Sequence, residues 1–263
     1  MKTDDLLSTA HALADVARSE VLGYFRADGL TAENKLATGF DPVTAADKAA
    51  ERAMRAVLAQ RRPDDAVIGE EYGNTEGRSG LTWVLDPIDG TRGFLAGTPT
   101  WGVLIAVCDL SGPVFGMVDQ PYIGERFWGG FGACEMVGPL GRKALKTRAG
   151  RPLSEAILFS TFPEIGSAQE RAGFEALAAQ VRLTRYGMDC YAYALLAAGQ
   201  IDLVVEAGLS NYDICAPIGL IEAAGGIVTD WQGGPVHNGG RVLAAADPIQ
   251  HGAALELLRR VPA

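Results

Sequence analysis

The sequence predicts an α/β fold, a layered sandwich in which helices and sheets alternate. After about residue 150, short apolar runs alternate with amphipathic segments, which is typical of strands and helices packed in layers. Before it, β-rich runs follow one another with turn residues between them, which indicates an antiparallel sheet. With 263 residues, of which 48% are hydrophobic, the chain is long enough to bury an extended core.

Two amphipathic helices are expected first. Apolar residues recur at helical spacing from Leu6 to Val21, so the first helix should end near Gly23. A second helix should begin around Thr44 and Asp47, which have the spacing of a capping box. Capping alone would explain the identity of both residues.

Two strands follow, and each leads into acidic residues. Ala66 to Gly69 has the composition of a buried strand and is followed directly by Glu70. Leu81 to Leu85 should form the second strand, and Pro87 should end its pairing because proline lacks an N–H and has a fixed φ. Since one short polar turn separates the two strands, Glu70 could lie beside Asp86.

Three antiparallel strands and a connection are expected in the middle of the chain. The strands are Val103 to Val107, Val114 to Val118 and Arg126 to Phe131. Gly138 to Gly150 is polar and basic and should connect two halves of the chain. We place a soft boundary there, between residues 1–140 and 151–263, within a single domain that covers residues 1–263.

The second half should alternate strands with helices. Strands are expected at Ile157 to Thr161, Val181 to Tyr186, Leu203 to Glu206, Ile227 to Thr229 and Val242 to Ala245. Helices are expected at Gln169 to Gln180, at Cys190 to Ala198, from about Tyr212 to Ala224, and around Leu255. Gly225 and Gly226 should end the third of these helices.

The string WVLDPIDGTRGF, which begins at Trp83, brings several reactive groups together. Asp86 and Asp89 lie on either side of the expected turn, so their carboxylates can converge with the Ile88 carbonyl. Such an all-oxygen set suits Mg²⁺. If a helix begins at Gly90, its free N–H groups and the positive end of its dipole would point at an anion beside the metal. Taken singly, Asp-Pro and Asp-Gly are ordinary turn dipeptides.

Composition restricts the class of partner. The net charge of −9 provides no basic surface for nucleic acid or an anionic membrane. No apolar run approaches the roughly 20 residues needed to span a bilayer. The four cysteines include no CxxC pair, and residues 1–5 lack the basic and apolar regions of a signal peptide. We therefore expect a cytoplasmic protein with reduced thiols and a small-molecule partner.

Two strings resemble the signatures of the inositol monophosphatase family, whose members are Mg²⁺-dependent phosphomonoesterases. The first is WVLDPIDGTRGF, and the second runs from Tyr212-Asp213 to Gly226, with Tyr212 where the family usually has Trp. The motifs stand in the family's order, and the resemblance extends from Asp41 to Gly226. It implies the family's layered fold, hydrolysis of a small phosphate ester, and a homodimer.

The resemblance also implies the ligands of two metal ions. Glu70, Asp86 and the Ile88 carbonyl would hold the ion that activates the attacking water. Asp86, Asp89 and Asp213 would hold a second ion that faces the leaving oxygen. A third, weaker Mg²⁺ near Glu70 is often invoked in the family.

Roles for the neighbouring residues follow from the same resemblance. Asp47 would accept a hydrogen bond from the Thr91 hydroxyl, and Thr91 would help Glu70 to take up the proton of the attacking water. Backbone N–H groups of Gly90 and Thr91 would bind phosphate oxygens. These assignments make Glu70, Thr91 and Asp47 the expected catalytic residues.

Three further strings are similar to the histidinol-phosphate phosphatase branch of the family, which acts in histidine biosynthesis. They are RGF at 92–94, VDQP at 118–121 and YGMDCY at 186–191. The resemblance makes Arg92, Asp189, Glu206 and Asp213 the substrate-binding residues. Asp189 and Glu206 together suit an ammonium or imidazolium group. Glu206 could equally accept hydrogen bonds from inositol hydroxyls, and Asp189 could only cap the helix after it.

Other functions remain open, with less support from the residues. Inositol-1-monophosphatase, or a small-molecule phosphatase of broad specificity, is the alternative within the family. A catalytically idle regulatory protein on the same fold is disfavoured because every metal ligand is intact. The three histidines include no HExxH pair, and the chain contains no GxSxG elbow and no P-loop.

Overall fold

A computed structural model of the protein describes residues 3–29, 31–34 and 42–262. Asp41, where the family resemblance begins, lies outside the described residues, as do Met1 and Lys2 of the N-terminal segment.

The described chain forms helices and strands, with five successive strands in its middle part. The helices are α1 (Thr3–Tyr24), α2 (Ala45–Arg61), α3 (Thr91–Ala96), α4 (Ala168–Ala178), α5 (Cys190–Ala197), α6 (Asn211–Ala223) and α7 (Pro248–Leu258). The strands are β1 (Ala32–Asn34), β2 (Pro42–Thr44), β3 (Ala66–Gly69), β4 (Gly73–Thr75), β5 (Thr82–Asp89), β6 (Gly102–Asp109), β7 (Gly112–Gln120), β8 (Glu125–Gly130), β9 (Ala133–Gly138), β10 (Gly141–Ala144), β11 (Ile157–Ser160), β12 (Leu183–Tyr186), β13 (Leu203–Leu209), β14 (Ile227–Thr229) and β15 (Gly240–Ala245).

Two large sheets and three helix layers stack on one another. The first sheet has eight strands in the order β10-β9-β8-β7-β6-β5-β3-β4, and the second has five in the order β12-β11-β13-β15-β14. Helices α1 and α2 cover the outer face of the first sheet, α5 and α6 lie between the sheets, and α4 and α7 cover the outer face of the second. The predicted layered α/β fold is confirmed.

Strand β5 shows how the sequence produces these layers. Successive side chains of a strand point to opposite faces of its sheet. Trp83 and Leu85 pack against α1 and α2, whereas Val84 packs against α5 and α6. Because both faces of the sheet are covered by helices, the strand is apolar at every position from Trp83 to Leu85 instead of alternating with polar residues.

The prediction that Pro87 ends the pairing of β5 is wrong. The strand continues to Asp89 and pairs with β6 on both sides of the proline, with a shift of register between Asp86 and Asp89. A proline is tolerated inside a sheet at such a bulge, where no ladder hydrogen bond is required of it. The bulge also changes the direction of the side chains on either side.

The expected connection at Gly138 to Gly150 is wrong in its first part. Residues Gly141–Ala144 form β10, which pairs with β9 and ends the large sheet. Arg142 and Lys143 are exposed there, and charged residues are common on edge strands because they discourage pairing with another chain. The polar turn expected after β3 likewise contains the short strand β4. The division into two halves near this segment stays a prediction.

Helix α6 lies unusually close to the large sheet. A Cβ atom on Gly219 would stand 2.5 Å from the backbone nitrogen of Gly116 in β7, so neither position has room for a side chain. The close approach fixes the helix against the sheet over its middle turns. No helix of the described chain is long and apolar enough to cross a membrane.

Candidate active site

The acidic residues meet at one edge of the large sheet because β3 and β5 run parallel. Gly69 and Leu85 are paired, and the Glu70 N–H donates to the Leu85 carbonyl at 3.3 Å. The two strands therefore end side by side, which places Glu70 next to Asp86. This is the neighbourhood expected from the sequence.

Asp86 and Asp89 occupy the two ends of the bulge in β5. Asp86 is 2% exposed, and its Oδ1 accepts a hydrogen bond from the Ile88 N–H at 3.0 Å. That bond spans two residues and closes the bulge locally. Asp86 also lies beside the Glu70 side chain, with which it shares a hydrogen bond.

Asp213 reaches the same place from the second half of the chain. It lies in the first turn of α6, where it accepts a hydrogen bond at 2.6 Å from the N–H of the capping residue Ser210. Carboxylate oxygens of Asp86, Asp89 and Asp213 all lie within 4.8 Å of one another. The structure therefore brings together three of the four predicted carboxylate ligands, and the fourth, Glu70, adjoins Asp86.

Burial and close spacing disfavour negative charge on the carboxyl groups of the cluster. Burial raises the pKa of Asp86 well above its usual range, and the charges of Glu70, Asp89 and Asp213 raise it further. Burial also raises the pKa of Asp89, assisted by the charges of Asp189 and Asp213. Like charges held this close in a buried site favour protonation, or a bound cation in its place.

The donor set fits a hard divalent cation. Its groups are carboxylates and one backbone carbonyl, all oxygen donors, and histidine and cysteine side chains supply none of them. The raised pKa values of Asp86 and Asp89 reflect negative charge that a cation would neutralise. The cluster of Asp86, Asp89 and Asp213 can therefore bind metal.

Thr91 begins the short helix that follows Asp86 and Asp89 of the acidic cluster. Gly90 precedes it in the left-handed conformation, with φ of 85°, and a Cβ atom there would stand 2.7 Å from the carboxyl carbon of Asp189. Only glycine satisfies both conditions. The Thr91 hydroxyl lies 3.1 Å from the Ile88 carbonyl oxygen and 3.4 Å from Oδ1 of Asp47.

Asp47 combines the two roles that the sequence left as alternatives. Its Oδ2 accepts hydrogen bonds from the Thr44 N–H at 2.8 Å and from the Thr44 hydroxyl at 2.6 Å, which completes the capping box of α2. Its Oδ1 faces Thr91. The cap thus holds the carboxyl group in the orientation that reaches the threonine.

Asp189 does not cap α5 with its side chain. The Cys190 N–H at the start of that helix donates to Asp89 Oδ2 at 2.6 Å. Asp89, a member of the acidic cluster, therefore caps the helix instead. Asp189 has a positive φ of 45°, which is strained for a residue with a Cβ. Its carboxylate accepts a hydrogen bond from the Thr100 hydroxyl at 3.3 Å.

Glu206 lies in β13, on the opposite side of the cavity. Its Oε1 accepts hydrogen bonds from the Thr161 N–H at 2.6 Å and from the Thr161 hydroxyl at 2.9 Å. Its Oε2 lies 3.4 Å from the Ser160 hydroxyl. Burial raises the pKa of Glu206 to about 7, and these hydrogen bonds partly offset the effect.

A cavity of about 260 Å³ joins these groups. Every predicted site residue except Asp47 lines it: Glu70, Asp86, Ile88, Asp89, Gly90, Thr91, Arg92, Asp189, Glu206 and Asp213. Arg92 is exposed at its mouth, where the guanidinium lies 4.9 Å from the centre of the Phe162 ring. The positive charge of Arg92 also lowers the pKa of Asp189 against the larger effect of burial.

Several lining residues were not predicted from the sequence. They include Thr161, Phe162, Cys190, Tyr193 and Leu209. Tyr193 lies four residues after Asp189, a spacing that places both on one side of a helix, and this was the signal available. Thr161 and Phe162 follow β11 and carry no motif, so only the assembled second sheet brings them to the cavity.

Comparison with known proteins agrees with this geometry. The profile of the inositol monophosphatase family matches residues 2–263. The bifunctional phosphatase IMPL2, chloroplastic, of Arabidopsis thaliana is 38% identical over 266 residues, which cover 97% of this chain and 75% of that protein. A histidinol-phosphatase of Streptomyces coelicolor is 34% identical over 252 residues, 92% of each chain. A solved structure of an inositol monophosphatase from Zymomonas mobilis is 38% identical, with a TM-score of 0.86 over 98% of this chain and 99% of that one.

Proposed function

The chain belongs to the inositol monophosphatase family, and on that basis we propose that it hydrolyses L-histidinol phosphate to L-histidinol and phosphate, with Mg²⁺ as its metal. As a member of the family it is a phosphoric monoester hydrolase. The similarity to a protein named histidinol-phosphatase supports this ester. The observation that carries the choice is the pair of carboxyl groups, Asp189 and Glu206, in the cavity wall.

These carboxyl groups favour a cationic leaving group. Burial raises the pKa of both Asp189 and Glu206, because a buried carboxylate is costly unless a cation or hydrogen-bond donors compensate its charge. A cation bound beside them would therefore form strong, charge-assisted hydrogen bonds. Histidinol carries an ammonium group and an imidazole, whereas inositol carries hydroxyl groups alone. The two carboxyl groups in the cavity wall thus support histidinol phosphate over a neutral polyol phosphate as the substrate.

Five groups would hold the Mg²⁺ ions, two in number or three if the weaker family site is present. They are the carboxylates of Glu70, Asp86, Asp89 and Asp213 and the carbonyl of Ile88. When bound, the metal would neutralise the phosphate dianion and increase the acidity of the attacking water.

The protein's own groups would position the reactants. The Thr91 hydroxyl donates to the Ile88 carbonyl or to Asp47, which leaves its oxygen to orient the attacking water. If Thr91 takes a proton from that water, its own proton passes to the Asp47 carboxylate, and Glu70 is the other group that can accept the water's proton. Backbone N–H groups of Gly90 and Thr91 would bind phosphate oxygens, and the absence of a Cβ on Gly90 lets the phosphate come close. Arg92 at the cavity mouth would attract the dianion.

Inositol-1-monophosphate is the alternative substrate. The similarity to the Zymomonas mobilis inositol monophosphatase supports it, and the Glu206 carboxylate could accept hydrogen bonds from ring hydroxyls. A regulatory protein without activity is disfavoured because the acidic cluster is complete.

We also propose that the enzyme is a cytoplasmic homodimer. Cys108, Cys134, Cys190 and Cys215 are all free thiols, which suits a reducing compartment. The dimer follows from the family resemblance. Light scattering after size-exclusion chromatography should give about twice the chain mass of 27.7 kDa, and a monomeric mass would contradict it.

A phosphate-release assay tests the function. The panel contains histidinol phosphate, inositol monophosphate, fructose bisphosphate and adenosine bisphosphate, each with and without Mg²⁺. We expect Mg²⁺-dependent release, with the highest kcat/KM for histidinol phosphate. Asp86→Asn should lose activity on every ester, because Asp86 is proposed to bridge both metal sites. A wild-type preference for inositol monophosphate would refute the proposed ester while leaving the metal chemistry in place.

Asp189→Asn separates substrate recognition from folding. It should lower kcat/KM for histidinol phosphate by about tenfold or more, since a hydrogen bond to a charged group contributes roughly 1.5 to 3 kcal/mol. The same variant should act on inositol monophosphate almost as well as the wild type does. Equal losses on both esters would mean that Asp189 only maintains the local structure.

A further inference from the structure

Tyr193 lines the cavity and carries a buried hydroxyl that the described protein leaves without a partner. Its side chain is 4% exposed, and its hydroxyl oxygen has no hydrogen-bond partner among residues 3–29, 31–34 and 42–262. Buried hydroxyl groups in folded proteins are almost always hydrogen-bonded, because desolvation without a partner costs free energy. An unpaired one that lines a cavity is a candidate contact for whatever the cavity binds.

The position of the hydroxyl is set by α5. Tyr193 follows Asp189, the residue before the helix, by about one turn, and both residues line the cavity. Burial and the nearby charges of Glu206, Asp89 and Asp213 raise the pKa of Tyr193. The group therefore remains a neutral phenol, which can donate one hydrogen bond and accept others.

The neighbouring carboxylates do not satisfy the phenol. Glu206 accepts hydrogen bonds from the Thr161 N–H and from the hydroxyls of Thr161 and Ser160, and none from the phenol. Asp89 accepts from the Cys190 N–H at the start of α5. The phenol thus lies near acidic groups of the described chain without a hydrogen bond to any of them.

We propose that the Tyr193 hydroxyl is a specificity-determining contact that forms a hydrogen bond with a polar nitrogen or oxygen of the leaving alcohol. This inference rests on the proposed function to the extent that it places the alcohol part of the ester in this cavity. The substrate class it selects is an alcohol with a second polar group, such as an amine, an imidazole or a further hydroxyl. An ester with an apolar alcohol would leave the phenol unpaired and would be disfavoured.

Tyr191 provides a matched control on the same helix. Its hydroxyl donates to Glu125 Oε2 at 2.7 Å, so the bond is already satisfied within the protein. It is not among the residues that line the cavity. Tyr191→Phe therefore removes a bond that stabilises the fold, whereas Tyr193→Phe removes a hydroxyl that the described protein does not pair.

The experiment compares Tyr193→Phe with Tyr191→Phe in the full chain with Mg²⁺. Calorimetry measures the Kd of L-histidinol and of inositol, and thermal unfolding measures Tm. We expect Tyr193→Phe to weaken the binding of at least one alcohol by about tenfold or more, without lowering Tm. Tyr191→Phe should lower Tm and leave both Kd values unchanged.

A second measurement separates this inference from the proposed function. Phosphate release is measured with histidinol phosphate and with phenyl phosphate, whose leaving group has no second polar group. Tyr193→Phe should lower kcat/KM about tenfold for the first ester and leave the second unchanged. Loss of alcohol binding in Tyr193→Phe, found together with a wild type that releases no phosphate, would support the contact and refute the phosphatase proposal. Unchanged alcohol binding, equal losses on both esters, or a lowered Tm in Tyr193→Phe would overturn the contact.

Discussion

At the scale of single residues, Thr91 is both held by the surrounding structure and a proposed catalytic residue. Its hydroxyl lies within reach of both Asp47 and the Ile88 carbonyl, and Asp47 is itself fixed by the cap of α2. Because the hydroxyl is already held in place, little conformational entropy is lost when it orients a water molecule. Its contribution should therefore appear in turnover and not in metal affinity.

We predict that Thr91→Ala slows turnover with little effect on Mg²⁺ affinity. Groups that orient or transfer protons typically contribute about 10² to 10⁴-fold. Steady-state kcat at saturating Mg²⁺ and a calorimetric Mg²⁺ titration would check both parts. Thr91→Ser, which keeps the hydroxyl, should retain most of the activity. Strongly weakened Mg²⁺ binding with an unchanged saturated rate would instead make Thr91 a metal ligand.

Glu206 should make stability depend on pH. Its pKa in the folded protein is raised from 4.5 to about 7 by burial, so between these values the folded state binds more protons than the unfolded state. Stability from this group is therefore greatest below about pH 4.5 and declines as the pH rises through about 7. The loss can reach about 3 kcal/mol, at about 1.4 kcal/mol per pKa unit.

Glu206→Gln tests this dependence. The variant should be less sensitive to pH than the wild type, so its stability relative to the wild type should increase between pH 5 and pH 8. Urea unfolding in EDTA at both pH values measures the difference, and the titration of the metal cluster is common to both proteins. A parallel pH dependence in the two proteins would show that Glu206 titrates in its ordinary range.

At this scale, the sequence was most informative where a motif indicated the chemistry. Asp86, Asp89 and Asp213 converge as the two signatures implied. Tyr193 was not found, because an unpaired hydroxyl is a property of its surroundings and not of the string that contains it. The alternatives for Asp189 could not be separated either, since the capping role passes to Asp89, a residue distant in sequence.

At the scale of elements, the contact between α6 and β7 positions Asp213, a proposed metal ligand. Asp213 is in the first turn of α6, and Gly219 lies in the part of the helix that touches the sheet. The lack of side chains at Gly219 and Gly116 lets the two backbones approach. The distance between α6 and β5, and so the spacing of the carboxylates, depends on this contact.

We predict that Gly219→Ala destabilises the protein and weakens Mg²⁺ binding. Alanine normally stabilises a helix relative to glycine by roughly 0.5 to 1 kcal/mol, but overpacking here should cost about 1 to 3 kcal/mol. Gly252→Ala in α7 is the matched control, since a Cβ there meets no atom within 4 Å. It should raise stability slightly and leave Mg²⁺ affinity unchanged, as measured by thermal unfolding and calorimetry. Similar gains in both variants would contradict the proposed role of the contact.

Elements with strong periodicity were predicted well, and their exceptions have physical causes. Helix α1 ends, helix α2 begins, and helix α6 both begins and ends close to the expected residues, because caps and glycines are local signals. Strand β5 continues beyond Pro87 because the bulge removes the need for an N–H at that point. Strand β10 is short and charged, and only its neighbour β9 identifies it as part of the sheet.

At the scale of the whole molecule, metal binding should be linked to protons and to folding. The pKa values of Asp86 and Asp89 are raised well above their usual range by burial and by neighbouring carboxylates. A metal ion must displace the protons that these groups hold, so its affinity rises with pH. The metal-free protein meanwhile loses stability as these carboxyl groups ionise.

We predict that Mg²⁺ raises Tm more at pH 8 than at pH 6. At a concentration about 100 times its Kd, a ligand of the folded state adds about 2.7 kcal/mol, which corresponds to about 5 to 10 °C for a chain of this size. Thermal unfolding with Mg²⁺ or EDTA at the two pH values measures the shift. Asp86→Asn should show a much smaller shift at both, and a wild-type shift independent of pH would contradict the linkage.

The order of the site's parts along the chain has a consequence for how substrate preference can be altered. Glu70, Asp86 and Thr91 precede the segment that connects β10 to β11 along the chain. Asp189, Tyr193 and Glu206 follow it. The groups assigned to the phosphate thus lie in one stretch of the chain, and those assigned to the alcohol lie in another. Asp213 is the one proposed metal ligand in the second stretch. We expect a single crossover between related genes in this segment to exchange the groups assigned to the alcohol, together with Asp213, while Glu70, Asp86 and Thr91 come from one parent.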